Sequence, residues 1–191
     1  MFELRTLLIL IPLVPLLAAI LTAVWGPRVL RQQSHWPVIL ALLASFLCSI
    51  PVLSGVHSLS TDDSAVGAEA VQQVVWTWVD VPDAYTTPDG ESLPFAIDIS
   101  LRADGLTALM LSMVTFIAML VAIYSVGYMH GDRGYWRFFA YVALFVFSMT
   151  MLVLVSNFLL LFVFWEAVGV CSYLLIGFWY EKDAAARAGM K

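Results

Sequence analysis

The sequence has little charge. Asp, Glu, Lys and Arg make up 12% of its 191 residues, while hydrophobic residues make up 62%. This balance excludes an ordinary soluble domain and is typical of a polytopic membrane protein. Acidic residues outnumber basic ones by 14 to 9, and the basic residues form no cluster that could attract nucleic acid. We therefore expect a lipid bilayer as a partner and no nucleic acid.

Cysteine is also scarce, and nucleotide-binding motifs are absent from the sequence. The two cysteines, Cys48 and Cys171, both lie in apolar runs, which excludes a disulfide framework or a cysteine-ligated iron–sulfur cluster. Neither GxGxxG nor GxxxxGK[ST] is present, so nicotinamide, flavin and ATP sites have no support. We expect no cofactor or metal on this chain, and any energy that it uses must come from elsewhere.

Five apolar runs are long enough to cross a bilayer, which takes about 20 helical residues. The first run follows Arg5 and also resembles a signal peptide, but its length and the four later runs favour an uncleaved helix. Only Ser156 and Asn157 separate the last two runs, and a single helix of about 40 apolar residues would exceed the bilayer. The predicted spans are Leu7–Trp25, Trp36–Ser54, Leu106–Val126, Phe138–Val155 and Phe158–Trp179.

We divide the chain accordingly into four parts. Residues 1–54 contain helices 1 and 2, residues 55–105 form a connecting loop, and residues 106–180 contain helices 3 to 5. Residues 181–191, which include AAARAGMK, have the composition of the start of a sixth helix. The predicted fold is an all-α polytopic membrane protein with a long acidic loop.

Charges predict the orientation. The loop from Gly55 to Ile99 contains no Lys or Arg, whereas the first and third connections and the C-terminal tail are basic. By the positive-inside rule, the N-terminus and the loop face outward and the basic segments face the cytoplasm or its equivalent. The acidic residues are Asp62, Asp63, Glu69, Asp80, Asp83, Asp89, Glu91 and Asp98, and the basic ones are Arg28, Arg31, Arg133, Arg137, Lys182, Arg187 and Lys191.

The acidic loop contains two segments with the pattern of β-strands. VVWTWVDV (Val74–Val81) and LPFAIDISL (Leu93–Leu101) alternate apolar and polar residues and are rich in β-formers. Turn residues lie between them, including Pro88 and the pair Asp89-Gly90. A short β-ribbon lying across the outer face is therefore predicted.

Glu166 is the only charged residue inside the fifth run. A charge at that depth costs several kcal/mol in lipid, so it needs a partner, a proton or a water-filled cavity. At helical spacing it shares a small and polar face with Gly169, Val170, Tyr173, Gly177 and Tyr180, and such a face is expected to look into the protein. Two readings stay open: a neutral, hydrogen-bonded group that joins helices, or part of an ion path.

Other polar residues are weaker candidates for a proton path. Tyr173 shares the face of Glu166. Asp104, at the outer mouth of the third helix, fits either a helix cap or a point of proton uptake or release. His130, at the inner border, fits either an interfacial loop histidine or a proton relay.

The stretch from Asp104 to Lys191 resembles a known family. WEAVGVCSYLLIGFW is its most specific part, and RFFAY and the upstream WTWVDV match as well. The sequence is similar to the N-terminal portion of the antiporter-like membrane subunit, called subunit L or subunit 5, of proton-pumping NADH:quinone oxidoreductase (complex I). The resemblance implies that Glu166 is a proton-path residue that works with a lysine two helices later. Lys191 corresponds to the start of a sixth helix and not to that lysine.

The resemblance also implies partners and a location. Other membrane-arm subunits of the complex would bind this chain, and NADH, FMN, iron–sulfur clusters and quinone would lie on partner subunits. The membrane would be the bacterial cytoplasmic (inner) membrane. Because the sequence stops before the expected lysine, we expect no pumping by this chain alone. It is interpreted as a fragment, a truncated form or a split-gene product that associates with the remainder of its subunit.

Two other functional classes stay open. The large subunit of multisubunit cation/proton antiporters resembles the same family and has a glutamate in its fifth helix. An inert or scaffolding fragment is the other alternative, and the sequence does not reject it.

Overall fold

The computed structural model describes residues 2–60, 70–86 and 92–191. The described residues form six α-helices and one antiparallel pair of strands. A π-helical turn, Gly26–Leu30, and a 3-10 turn, Arg31–Gln33, connect the first two helices. The elements are α1 (Phe2–Trp25), α2 (His35–Ser60), β1 (Val71–Thr86), β2 (Ser92–Ala103), α3 (Gly105–Tyr128), α4 (Tyr135–Leu154), α5 (Phe158–Ile176) and α6 (Asp183–Gly189).

Helices α1 to α5 are long and apolar enough to cross a membrane. The predicted class, a polytopic helical membrane protein with about five spans and a β-ribbon, is therefore confirmed. The chain is an integral membrane protein. Helix ends differ from the predicted ones, and the largest difference is at α2, which continues six residues beyond Ser54 to Ser60.

The end of α5 was predicted wrongly. The helix stops at Ile176, and Gly177 caps it by donating its N–H to the carbonyl of Tyr173 at 2.9 Å. The chain then turns, so Trp179 and Tyr180 lie beyond the helix. Hydropathy did not show this end because three aromatic residues, Phe178 to Tyr180, directly follow Gly177 and continue the apolar run.

The helices do not pack in simple chain order. Helix α1 packs against both α2 and α4, α2 packs against α3, and α4 also contacts α3 and α5. Helix α4 is therefore central and α5 is peripheral. Lipid removes most of the hydrophobic drive between helices, so close packing and polar contacts matter more. One such contact joins α2 to α1, where Ser45 Oγ donates to the carbonyl of Ile11 at 2.9 Å.

The ribbon pairs β1 with β2 in antiparallel register, with Val71 opposite Ala103 and Thr86 opposite Ser92. Three irregularities interrupt this register. The ribbon contacts α1, α3 and α4, and we call this end of the bundle the ribbon end. Several predicted loop residues lie outside the described residues: Asp62, Asp63, Glu69, Pro88, Asp89, Gly90 and Glu91.

The opposite end carries the basic connections, and we call it the basic end. It holds the turns between α1 and α2, the α3–α4 connection and the segment after α5. Its cations are Arg28, Arg31, Arg133, Arg137, Lys182, Arg187 and Lys191.

Asn157 fixes the start of α5 to the ribbon. Its Oδ1 accepts the N–H of Leu160 at 2.8 Å, which caps the helix. Its Nδ2 donates to the carbonyl of Asp98 on β2 at 2.7 Å. Next to it, the hydroxyls of Ser156 and Ser100 form a second bond between the same segments. The residue that the sequence presented only as a break between two apolar runs therefore sets the position of α5.

Two substitutions separate the roles of Asn157. Asn157→Ala removes both bonds, and loss of an N-cap alone costs about 1 kcal/mol. Asn157→Asp keeps an acceptor for Leu160 but cannot donate to the carbonyl of Asp98. We expect thermal unfolding in detergent to show a larger fall in the midpoint for Ala than for Asp. Equal falls would show that the cap contributes nothing.

Candidate functional site around Glu166

Glu166 lies near the middle of α5, eight residues after Phe158. That places it about 12 Å along the helix from its start, deep within a membrane-length segment. The residues of α5 that are buried are Leu160 and Cys171, and Cys171 Sγ lies 3.8 Å from Ser148 Oγ of α4. Glu166 is exposed and is not on this buried side.

The sequence predicted that the face of Glu166 looks into the protein, but in this chain that face is open. Val170 and Tyr173 are also more than half exposed. The reason is that α5 contacts chiefly α4 and the short α6. Gly177 and Tyr180 were placed on this face wrongly, because α5 ends before them.

Glu166 has no ion-pair partner within the residues that the structure describes, where Arg187 and Asp183 form the only pair, at 3.8 Å. In the same residues no group of three or more His, Cys, Asp or Glu side chains could hold a metal ion. The site on this chain is therefore a single carboxyl group on a helix surface.

A cluster at the basic end was not predicted from the sequence. Arg137, in the first turn of α4, donates from Nη2 to the carbonyl of Phe178 at 3.2 Å. Its guanidinium carbon lies 4.9 Å from the ring centre of Phe178 and 5.3 Å from that of Tyr180. Lys182 Nζ lies 4.5 Å from the ring centre of Trp179. The cation–π contacts of Arg137 hold the segment after α5 against the start of α4, and the contact of Lys182 lies within that segment.

Asp132 completes this cluster. Its Oδ2 accepts the indole N–H of Trp179 at 2.9 Å, and its Oδ1 accepts the N–H of Gly134 at 2.7 Å. These two bonds, with the nearby charges of Arg137 and Lys182, lower the pKa of Asp132 below its ordinary value. The carboxylate therefore stays ionised at neutral pH and ties the α3–α4 connection to the segment after α5.

A cavity of about 250 Å³ lies between this cluster and the last turn of α5. Arg137, Phe178 and Tyr180 line its lower part, and Tyr173 lines it further up α5. Tyr173 lies seven residues after Glu166, about 10 Å away along the helix. Tyr173 and Glu166 therefore lie on the same open side of α5 without contact, and Glu166 forms no ion pair with a cation among the described residues.

Asp104 and His130 lie at opposite ends of α3, which packs against α2 and α4. Asp104 is the N-cap of α3, and its Oδ1 accepts the N–H of Thr107 at 2.8 Å. This bond, aided by the charge of Arg102, lowers the pKa of Asp104. His130 is exposed just after α3. The structure does not bring either residue together with Glu166.

The low pKa of Asp104 predicts an effect of pH on stability. A carboxyl with a lowered folded pKa stabilises the fold above its unfolded value, near 3.9, and loses this contribution as pH falls through the folded value. Asp104→Asn can still cap α3 but does not titrate. We expect the variant to remove this acid-sensitive part of stability, measured as the unfolding midpoint between about pH 7 and pH 2. Equal acid sensitivity in both proteins would contradict the assignment.

Two known families match the chain. Residues 91–139 match the family described as NADH-ubiquinone oxidoreductase (complex I), chain 5 N-terminus. Residues 155–191, which include Glu166, match the family described as NADH:quinone oxidoreductase/Mrp antiporter, transmembrane.

Curated relatives extend the match to nearly the whole chain. Subunit L of NADH-quinone oxidoreductase from Neisseria meningitidis is 38% identical over 188 residues, which cover 97% of this chain and 25% of that protein. The chloroplastic subunit 5 of NAD(P)H-quinone oxidoreductase from Adiantum capillus-veneris is 39% identical over 184 residues, or 95% and 23%. Subunit L from Escherichia coli is 44% identical over 133 residues, or 70% and 20%. The chain therefore spans about a quarter of the length of these relatives.

A solved structure shares the fold. A chain of the membrane-bound sulfane sulfur reductase, an archaeal respiratory membrane complex, aligns with a TM-score of 0.65. The alignment covers 98% of this chain and 33% of the other, at 17% identity. At that identity the likeness supports the fold alone.

The helical fold and the two family matches together define a membrane chain of the NADH:quinone oxidoreductase/Mrp antiporter class. Within this class, the chain belongs to the subunit L/subunit 5 family of NADH:quinone oxidoreductase and corresponds to its N-terminal portion. The resemblance predicted from WEAVGVCSYLLIGFW is confirmed.

Proposed function

We propose that this chain is part of a proton-translocating membrane subunit of NADH:quinone oxidoreductase and that Glu166 lies on its proton path. The observation that carries the proposal is the position of Glu166, in the middle of a membrane-length helix and on its open side. Exposing a carboxyl group to lipid at this depth is energetically unfavourable. Further protein, from the same subunit or from another one, would therefore cover this face and supply the partner of Glu166. The fourfold greater length of the relatives supports this inference.

Protons would reach Glu166 from the basic end. The cavity that ends at Tyr173 opens beside Arg137 and Tyr180, and a phenol hydroxyl can both donate and accept a hydrogen bond. About 10 Å of helix separates Tyr173 from Glu166, a distance that water molecules would bridge. The positive-inside rule supports a cytoplasmic position for the basic end. In this proposal the membrane is the bacterial cytoplasmic membrane.

The chain would take no part in electron transfer. In this proposal, NADH, FMN, iron–sulfur clusters and quinone bind to partner subunits, and residues of this chain hold and move protons only. Its partners are other membrane-arm subunits, and pumping requires the assembled complex.

A cation/proton antiporter is a second candidate, because the family that matches residues 155–191 includes Mrp antiporters by its description. The curated relatives cited above are NAD(P)H-quinone oxidoreductase subunits, which favours the first proposal. Assays of proton movement in membrane vesicles distinguish the two candidates. Proton movement that needs an opposing Na⁺ gradient and no NADH would favour the antiporter.

The direct test is Glu166→Gln in the assembled complex. Loss of proton movement with normal assembly supports the proposal. An inert or scaffolding role predicts no change in either.

A further inference from the structure

A second cavity, of about 440 Å³, lies at the basic end. The α3–α4 connection and the first turn of α4 form one wall, and the segment after α5 forms the other. Three cationic side chains line it, those of Arg133, Arg137 and Lys182. Its size is within the range of pockets that enclose small ligands, roughly 300–1,000 Å³.

Arg137 and Lys182 are held in place without a close ion pair, although the charge of Asp132 lies near both. In the described part of the chain none of the three cationic side chains lies within 4.0 Å of a carboxylate, since the one ion pair found there joins Arg187 to Asp183. Arg137 and Lys182 are positioned by aromatic rings instead. Such contacts orient a cation and leave its charge and most of its N–H groups available.

Arg137 also has an unused donor. Among the described residues its buried Nε has no hydrogen-bond partner, whereas its Nη2 bonds to the carbonyl of Phe178. A buried donor without an acceptor is costly. An anion with several oxygens is the ligand that a guanidinium binds best, because two parallel N–H groups fit two oxygens.

The acidic side chains of the cavity leave an excess of positive charge. Asp132 and Glu181 also line it, so three cations face two carboxylates. Both oxygens of Asp132 already accept hydrogen bonds, from Trp179 and Gly134. Glu181 is exposed and can turn toward water.

The position of the cavity identifies the anion. It lies where α4 begins and α5 has just ended, and Trp136, Trp179 and Tyr180 line it. Trp and Tyr concentrate at the depth of lipid headgroups, and basic groups beside membrane spans attract anionic lipids. We propose that this cavity binds the phosphate of an anionic phospholipid headgroup, with Arg137 and Lys182 as its main ligands. This binding does not depend on the proposed role of Glu166.

Lipid binding to the purified full-length subunit, measured by native mass spectrometry in mild detergent, tests the proposal. The probes are phosphatidylglycerol, phosphatidylcholine and inorganic phosphate. We expect phosphatidylglycerol to bind at least about ten times more tightly than phosphatidylcholine. The headgroup of phosphatidylglycerol carries a net negative charge that the cations of the cavity attract. Equal affinity for the two lipids would overturn the proposal. Inorganic phosphate that displaces phosphatidylglycerol at equal concentration would overturn the assignment to a lipid.

Variants locate the site. Lys182→Gln and Arg137→Gln are each expected to lower phosphatidylglycerol affinity about tenfold, the effect of one charged hydrogen bond. Arg28→Gln is the matched control, because it removes a basic-end cation that does not line the cavity, and it should change affinity less than twofold. If Arg137→Gln fails to fold, Lys182→Gln decides alone, since the Lys182 side chain has only a ring contact with Trp179 and a charge interaction with Asp132 among the described residues. Wild-type affinity in Lys182→Gln, or an equal loss in Arg28→Gln, would overturn the proposal.

Discussion

Glu166→Gln in the assembled complex is expected to reduce proton transfer along this subunit about 100-fold or more, the usual contribution of a positioned acid or base. Glutamine has nearly the same shape as glutamic acid but cannot release or take up a proton. Because Glu166 is exposed on α5 and makes no ion pair within the described residues, its loss should leave the packing of α5 against α4 intact. The amount of assembled subunit in the membrane should therefore be unchanged.

The measurement is the number of protons moved per electron in membrane vesicles that oxidise NADH, together with the amount of assembled complex. Asp183→Asn is the matched control: it removes a carboxylate from the same end of the chain, outside the spans, where Asp183 pairs only weakly with the exposed Arg187. Glu166→Asp keeps an ionisable group and should retain part of the activity. A normal proton ratio in Glu166→Gln would remove Glu166 from the path.

Sequence alone predicted the parts of this molecule that depend on local composition. Long apolar runs predict membrane helices, because lipid forces each backbone to satisfy its own hydrogen bonds. Alternation predicts the strands of the ribbon. A lone carboxyl within a span identifies a candidate site, because its cost in lipid is high wherever its neighbours lie. Glu166 was therefore visible without any knowledge of packing.

The remaining features depend on contacts between distant residues. Arg137 reaches the carbonyl of Phe178 across 41 positions, and Asn157 reaches Asp98 across 59. No periodicity reports such pairs. The packing of α1 against α4 is non-local in the same way. The open face of Glu166 was missed for a related reason: a small and polar stripe indicates that a helix has a partner, but not which segment provides it.

Phe139→Ala tests the central position of α4. Phe139 is fully buried in a cluster that joins α4 to α1, α2 and α3, and its ring centre lies 4.9 Å from that of Tyr135. In soluble cores such a change costs about 3–5 kcal/mol, of which about 1.5–3 kcal/mol is transfer from water. In a lipid or micelle environment most of this transfer free energy is absent, because the unfolded side chain is not exposed to water. We therefore expect a loss of about 2 kcal/mol, which comes from the contacts around the cavity left behind.

Phe162→Ala is the matched control, because it makes the same change on α5, where the side chain is 63% exposed. Its cost should stay below about 0.5 kcal/mol, since it leaves no cavity. Unfolding of both variants in mixed micelles measures the difference. If both variants lose the same free energy of unfolding, burial inside the bundle stabilises a phenylalanine side chain no more than contact with lipid does. A loss confined to Phe139→Ala would show that packing around α4 stabilises the bundle. Helix α4 also contacts α5 through Ser148 and the segment after α5 through Arg137, so a loosened α4 would then displace Glu166 as well.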